Sequence, residues 1–286
     1  MIQKPAPAGT WIITPGHMGA RFPAAHSCRA DVALVDLEDS VPDAAKPEAR
    51  QTARAFFTNP PTRPLLGVRI SSPTTRDGIR DLAALHGYPV KPQVVLIPKV
   101  ESARDFEIVA GALDTHDYAP LLYALIETPR ALEALPSIMR ADRIAGVLFG
   151  TADYATATRC SRTWEPLLHA RAALVTSAAA AGIPAIDSPF FDLDDLDGLQ
   201  QEAERVKALG FTGKSCVHPA HLPVIDKVFR PAQEEIAAAR AIVAAAENAG
   251  GSIVRVDGRM TGPPMVAAAR ALLAREETRT PSETPV

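Results

Sequence analysis

Five short apolar runs in this chain end in charge: VALVDLED (32–39), LLGVRI (65–70), VVLIPKVE (94–101), LLYALIE (121–127) and GVLFGTAD (146–153). Runs of this length, separated by helical stretches, read as strands buried on both faces of a parallel sheet. WIITP (11–15), IPAIDSPF (183–190) and FTGKSCVHP (211–219) bring the strand candidates to eight. Eight β/α units in alternation predict the α/β class and a closed (β/α)8 (TIM) barrel. In such a barrel the C-terminal ends of all strands open on one face, where active sites sit. Asp36, Glu38, Asp39, Arg69, Lys99, Glu101, Glu127 and Asp153 are therefore expected to converge on one mouth.

A barrel of this kind takes about 250 residues, and the chain has 286. The expected organisation is a catalytic barrel over 10–230 and a C-terminal helical extension over 231–277. The extension reads as an Ala-rich helix (232–248), a short segment (253–260) and a last helix (263–275), packing within the subunit or across a subunit interface. Residues 1–9 and 278–286 read as a frayed arm and a disordered tail. Within the barrel, helices are expected from after the first strand to about Ala30, and over 44–57 (with Lys46 and Arg50), 75–86, 102–114, 165–181 and 193–209. Pro129 suits the first turn of a helix and Gly182 a left-handed C-cap.

Composition narrows the function classes. An apolar fraction of 47% with 22% charged residues fits a soluble globular enzyme, and a net charge of −3 points to neither nucleic acid nor an anionic membrane. Cys28, Cys160 and Cys216 form no CxxC and no even set, which favours a reducing compartment and leaves them without a role. With no membrane-length apolar run and no signal-peptide core in MIQKPAPAGT, the expected location is cytoplasmic.

Glu127 and Asp153 close adjacent strands five and six, so their carboxylates can meet over a metal ion. Hard oxygen ligands without His or Cys favour Mg2+ (or Mn2+) over zinc, and Mg2+ held by one or two carboxylates keeps positions for a chelating substrate. The competing reading makes each acid a helix cap or a dipole partner. Arg69 suits a bidentate grip on a substrate carboxylate and stabilisation of an enolate oxygen, an ion pair with one of the strand-two acids, or both at once. In DLED, alternation puts Asp36 and Glu38 on one face and turns Asp39 away at the rim. Three carboxylates so close need cations, either Lys99, Arg69 or a metal through water, and suit a role in orienting the ligands and Lys99 or a structural salt-bridge network at the mouth. Lys99 and Lys214 also admit a Schiff-base reading, which nearby carboxylates disfavour by keeping the amines protonated. His218 and His221, three apart across a proline, suit a structural or rim hydrogen-bonding role better than a metal pair, and Gly16 and Gly19 are too sparse for a phosphate loop.

In combination and order, DLEDSV with the following Lys46 and Arg50, VRIS, IPKVE, LIET, FGTADY, IDSPF and GFTGKSCVHPAHL resemble the citrate lyase β-subunit-like family of the HpcH/HpaI aldolase superfamily. The resemblance runs from about Trp11 to the last helix. It implies a trimeric barrel using Mg2+ to cleave or form a carbon–carbon bond next to a thioester. By position it implies Glu127 and Asp153 as metal ligands, Arg69 on the 2-oxo acid, and Glu38 and Asp39 around the metal's water shell. Three departures stand out. AGTWIITP lacks the arginine of RSxLFVP, Ser71 or Ile70 replaces the VRVN asparagine, and GRMTGPPM (258–265) places Thr261 and Gly262 where the GxMID motif carries its acid/base aspartate. The last argues against malyl-CoA lyase and malate synthase activities.

The expected function is a Mg2+-dependent carbon–carbon lyase or aldolase acting on a citryl- or malyl-type thioester of coenzyme A or an acyl carrier protein, with a 2-oxo acid as product or co-substrate. Its candidate catalytic residues are Arg69, Glu38, Asp39 and Lys99, with Arg69, Pro15, Gly150 and Thr151 for substrate and Glu127 and Asp153 for the metal. A thioester hydrolase and a non-catalytic thioester-binding barrel are the alternatives.

Overall fold

The computed structural model describes residues 9–250 and 253–279. The chain divides into two compact units, Met1–Phe229 and Arg230–Val286.

In the first unit eight strands close a parallel barrel in sequence order: β1 (Thr10–Pro15), β2 (Val32–Asp36), β3 (Leu65–Arg69), β4 (Val94–Ile97), β5 (Leu121–Ile126), β6 (Ile144–Phe149), β7 (Ala185–Asp187) and β8 (Gly213–Cys216). The chain has the expected (β/α)8 architecture. Its helices are α1 (Phe22–Ser27), α2 (Lys46–Phe56), α3 (Arg76–Leu85), α4 (Ala103–Leu113), α5 (Pro129–Glu133), α6 (Leu135–Ile138), α7 (Thr151–Thr158), α8 (Trp164–Ala181), α9 (Leu196–Leu209) and α10 (Leu222–Phe229). Their ends follow local chemistry. Thr75 Oγ1 accepts from Gly78 N at 3.1 Å to cap α3, and Ser102 with Asp105 forms a capping box on α4. Gly182 and Gly210 close α8 and α9 at φ +67° and +110°, where a side chain would be strained. The first helix is shorter than expected: α1 ends at Ser27 after a 3-10 turn at Gly19–Arg21.

Two apolar layers arise from strand alternation. Val32 and Leu34 of β2 point into the barrel with Trp11, Leu96, Tyr123, Leu125, Leu148 and Ile186, while Ala33 and Val35 pack outward against the helices. Trp11 and Tyr123 meet edge-on inside at 4.8 Å, so the barrel is filled rather than hollow. At about 25 cal/mol per Å² of apolar area, such fully buried aromatic and aliphatic side chains dominate the folding free energy.

The second unit comprises α11 (Gln233–Asn248), a two-stranded antiparallel hairpin of β9 (Val254–Val256) and β10 (Arg259–Thr261), and α12 (Pro263–Arg279). The hairpin occupies the short segment for which the sequence predicted no regular element. The last helix runs to Arg279, past the expected end and into the segment read as a tail. The rest of that tail and residues 1–8 of the expected arm lie outside the described residues. No helix among the described residues is long and apolar enough to cross a membrane.

Candidate active site

Carrying the inward parity of the strands to their C-terminal ends brings Pro15, Asp36, Arg69, Glu127, Ser188 and Ser215 together. They line one cavity of about 520 Å³ with Asp39, Gly150, Thr151 and Asp153. Floor residues Leu96, Leu125 and Leu148 keep its base apolar.

Asp36 is the last residue of β2 and is fully buried. Its oxygens accept from Arg69 Nε and Nη2, each at 2.6 Å, and from the Ser40 hydroxyl and the Glu38 and Ser40 amides. Burial opposes ionisation of Asp36, and the Arg69 guanidinium overrides it, holding the carboxyl below its ordinary range. The bidentate face of Arg69 is thus engaged internally, in the ion pair with a strand-two acid that the sequence admits beside a substrate grip. Donors on Nη1 and one on Nη2 are left, with Nη1 at 3.3 Å from Glu38 Oε2.

Lys99 organises the other acids. Its backbone sits at φ +52°, a left-handed conformation costing a non-glycine residue about 1–2 kcal/mol. In that conformation its N–H donates to Glu127 Oε1 at 2.9 Å, while its ammonium reaches Glu38 at 2.7 Å, Asp39 at 3.2 Å and Asp153 at 3.4 Å. Burial works against its charge, but the Glu38 carboxylate outweighs burial and keeps the ammonium protonated well above neutral pH. That state is unsuited to a Schiff-base nucleophile. Lys214 belongs elsewhere: its parity is outward, and it is buried against Asp187 (2.7 Å), Ser188 O (2.8 Å) and Glu202 (2.6 Å), with Arg171 also on Asp187.

Two expectations are corrected. Asp39 does not turn away, because strand alternation ends at Asp36 and the following turn brings its carboxylate onto Lys99. Glu101 does not join the mouth. It bonds Thr128 Oγ1 at 2.9 Å and Arg130 at 3.1 Å, tying the start of α5 to the turn after β4.

Glu127 is 3% exposed, and Asp153 stands half-exposed in the first turn of α7. Neither is spent on capping: Thr128 caps α5, and α7 has no side-chain cap bond. Burial, then the Glu38 charge, pushes the Glu127 pKa up to about 8. Burial likewise raises Glu38 to about 7 despite Arg69 and Lys99, and Glu38 Oε2 has no hydrogen-bond partner. Asp36, Glu38, Asp39, Glu127 and Asp153 thus share the two cations Arg69 and Lys99, an imbalance that further positive charge would relieve. Around Glu127 the chain keeps space: a Cβ on Gly150 would lie 2.5 Å from Glu127 Cβ and 2.7 Å from its Oε2. Among the described residues no three His, Cys, Asp or Glu side chains form a metal cage by themselves. The donor set fits a hard divalent cation held by two carboxylates and completed by water or substrate.

Several contacts of residues that the sequence singles out, and part of the cavity wall, are not legible in the sequence pattern. Lys46 Nζ donates to Leu37 O and Glu38 O at 3.2 and 3.0 Å, clamping the DLED turn; its place nine residues after Leu37, across a helix start, hints at this without fixing it. Thr151 Oγ1 donates to Ser188 Oγ at 2.9 Å, joining the start of α7 to the end of β7. Arg21, Phe191, Leu193, Val217 and His218 form the remaining wall of the cavity. Arg21 ends a 3-10 turn and the others come from the loops after β7 and β8, where periodicity is silent.

Fold and site together give the class: a parallel eight-stranded barrel whose C-terminal mouth holds an acid cluster threaded by Arg69 and Lys99. The chain belongs to the HpcH/HpaI aldolase/citrate lyase family, whose model matches residues 14–219. It is 33% identical over 273 residues to the citrate lyase subunit beta-like protein of Mycobacterium tuberculosis, covering 93% of this chain and 94% of the relative. It is 32% identical over 284 residues to the (3S)-malyl-CoA thioesterase of Cereibacter sphaeroides, covering 97% of each. The crystal structure of CitE from M. tuberculosis in complex with magnesium, acetoacetate and coenzyme A superposes with TM-score 0.78 at 32% identity, over 94% of this chain and 98% of that one.

Proposed function

We propose that this protein is a Mg2+-dependent carbon–carbon lyase cleaving a citryl- or malyl-type thioester, carried on coenzyme A or an acyl carrier protein, into a 2-oxo acid and an acyl thioester. The observation that carries the reading is the buried Glu127 beside Asp153, under-compensated in charge and given room by Gly150. The magnesium and coenzyme A of the M. tuberculosis structure support the same choice of cofactor and carrier class. Glu127 and Asp153 are the residues that would hold the ion; when bound, it supplies Lewis acidity toward the carbonyl of the 2-oxo acid.

The chain's own groups then divide the work. Arg69, locked by Asp36, presents its remaining N–H donors to the substrate carboxylate without needing to be ordered on binding. Lys99 holds Glu38, Asp39 and Asp153 in one cluster whose acids outnumber its cation, and Glu38 and Asp39 offer acceptors to ordered water at the site. Pro15, Gly150 and Thr151 shape the floor and rim around the bound acid. In the cleavage the substrate hydroxyl gives its proton to water and the carbon–carbon electron pair passes to the thioester as an enolate. The enolate carbon then takes one proton from water. The change is redox-neutral and needs no further co-substrate.

A second reading, thioester hydrolysis at the same site, is favoured by two observations. Thr261 and Gly262 carry no carboxyl where the family motif has its acid/base aspartate, and the C. sphaeroides thioesterase aligns over nearly the whole chain. Incubation with citryl-, malyl- and citramalyl-CoA, with Mg2+ and with chelator, separates the readings. The lyase yields 2-oxo acid plus acyl-CoA only with Mg2+. Free hydroxy acid plus coenzyme A thiol would overturn it in favour of hydrolysis, and binding without either product would leave a binding barrel.

A further inference from the structure

We propose that His218 is a hydrogen-bond donor to the carbonyl oxygen of the acyl thioester, through an Nε2–H whose place on the ring is fixed by the backbone. This rests on the thioester reading above and names a residue for the half of the reaction that the acid cluster does not serve. The two walls of the cavity differ in chemistry. Strands β2, β3, β5 and β6 contribute the carboxylates and Arg69, which suit a chelated 2-oxo acid. The other wall, from β8 and the loops after β7 and β8, brings Phe191, Leu193, Val217 and His218, with the Ser188 and Ser215 hydroxyls already engaged with Thr151 Oγ1 and Asp187 O, so its imidazole is the polar group left for a ligand. An uncharged, polarisable thioester belongs on that side.

The local sequence determines what the imidazole can do. β8 ends at Cys216, and Pro219 begins a 3-10 turn (Pro219–His221). Proline has no N–H, so the first orphan donor of the turn is Ala220 N, and His218 Nδ1 accepts it at 3.2 Å. A ring accepting at Nδ1 carries its proton on Nε2 in the neutral form. No protein group among the described residues takes that Nε2–H. A neutral N–H donor at a reacting carbonyl is the oxyanion-stabilising device that costs no charge of its own. The wall is also held in place. The buried ring of His221 meets Leu193 O through Nε2 at 3.2 Å, tying the loop of Phe191 and Leu193 to the turn that carries His218. When the carbon–carbon bond breaks, its electron pair moves onto the thioester carbonyl oxygen. The Nε2–H bond strengthens as that oxygen gains charge, and His218 itself neither gains nor loses a proton.

Two substitutions separate donor from cap. His218→Asn keeps a side-chain oxygen to accept Ala220 N–H but falls short of the Nε2 position. His218→Gln places an amide N–H near it. The probes are acetyl-CoA and S-acetyl-phosphopantetheine, titrated calorimetrically into the full chain holding Mg2+ and oxalate, an unreactive mimic of a 2-oxo acid. The Kd of both probes is expected to rise about twofold to tenfold in His218→Asn and to return toward wild type in His218→Gln, with oxalate affinity unchanged in both. Cleavage kcat is expected to fall about 100-fold in His218→Asn, again with partial recovery in His218→Gln. Wild-type behaviour of His218→Asn, equal loss of oxalate binding in both variants, or failure of the wild type to bind either probe overturns the proposal. If the wild type binds the probes and cleaves no thioester, the lyase reading fails, and the Kd comparison still decides the role of His218.

Discussion

Replacing Gly150 by alanine tests whether the space around Glu127 is what lets the acid pair act. The backbone there has φ −98°, so the substitution introduces no left-handed strain and its effect is steric. Carbon contacts are favourable at about 3.5–4.0 Å, and the new Cβ would stand 2.5 Å from Glu127 Cβ and 2.7 Å from Oε2. About 1 Å of movement is needed to reach ordinary contact. The side chain cannot supply all of it, because Glu127 Cβ is fixed to the end of β5 and Gly150 N is bonded to Ile126 O at 2.9 Å. Either the carboxylate leaves its place or the β6–α7 turn lifts off β5. Overpacking of this kind costs about 1–3 kcal/mol of stability, and displaced ligand support lowers metal affinity about 10- to 100-fold. The assay is calorimetry of oxaloacetate with Mg2+, paired with the urea midpoint. Gly111→Ala in α4, where a Cβ meets nothing within 4 Å, is the control and should stabilise by about 0.5–1 kcal/mol. Wild-type Mg2+ and oxaloacetate affinity in Gly150→Ala would falsify the reasoning.

Four further outcomes are expected. Glu127→Gln and Asp153→Asn should each abolish the Mg2+ requirement of 2-oxo acid binding, with little change in the urea midpoint for the half-exposed Asp153; retained Mg2+-dependent binding in Glu127→Gln would remove it as a ligand. Lys214→Met should destabilise the fold by about 3 kcal/mol, since it strips one cation from fully buried Asp187 while Arg171 stays. Borohydride with oxaloacetate should leave the wild-type protein active, and covalent trapping at Lys99 or Lys214 would contradict the charge argument. The pH profile has two parts. Asp36 and Asp187 are depressed, burial being overridden by Arg69 and by Lys214 with Arg171, so their stabilisation is present above the ordinary value of 3.8 and is lost as pH falls below it. Glu127 and Glu38 are raised, to about 8 and about 7, so the native state binds more protons than the unfolded chain below those values. In chelator the urea midpoint should therefore climb as pH falls from about 9 to about 5 and drop below about 4; a midpoint flat over the upper interval would count against buried, under-compensated acids.

The order of apolar runs and helices was sufficient for the barrel, because buried parallel strands and their intervening helices leave their periods in the sequence itself. The same alternation, carried to each strand end, placed Asp36, Arg69 and Glu127 at one mouth, since parity within a strand is a local property. What happens after the strand ends was decided elsewhere. Asp39 faces Lys99 and Glu101 faces Arg130 because turns, not alternation, aim them, and turns answer to contacts distant in sequence. Whether Arg69 was free for substrate or bound to Asp36 depended on the register that puts Asp36 beside Arg69 across β2 and β3. The left-handed backbone of Lys99 joins Glu38 and Glu127 from strands that meet only in the closed barrel. The wall of Phe191, Leu193, Val217 and His218 likewise exists only once the loops after β7 and β8 are brought together, with His221 holding them. Sequence alone determined which residue types arrive at the mouth; tertiary structure decided which of them are paired with one another and which are left for a ligand, because pairing depends on distances that no local pattern encodes.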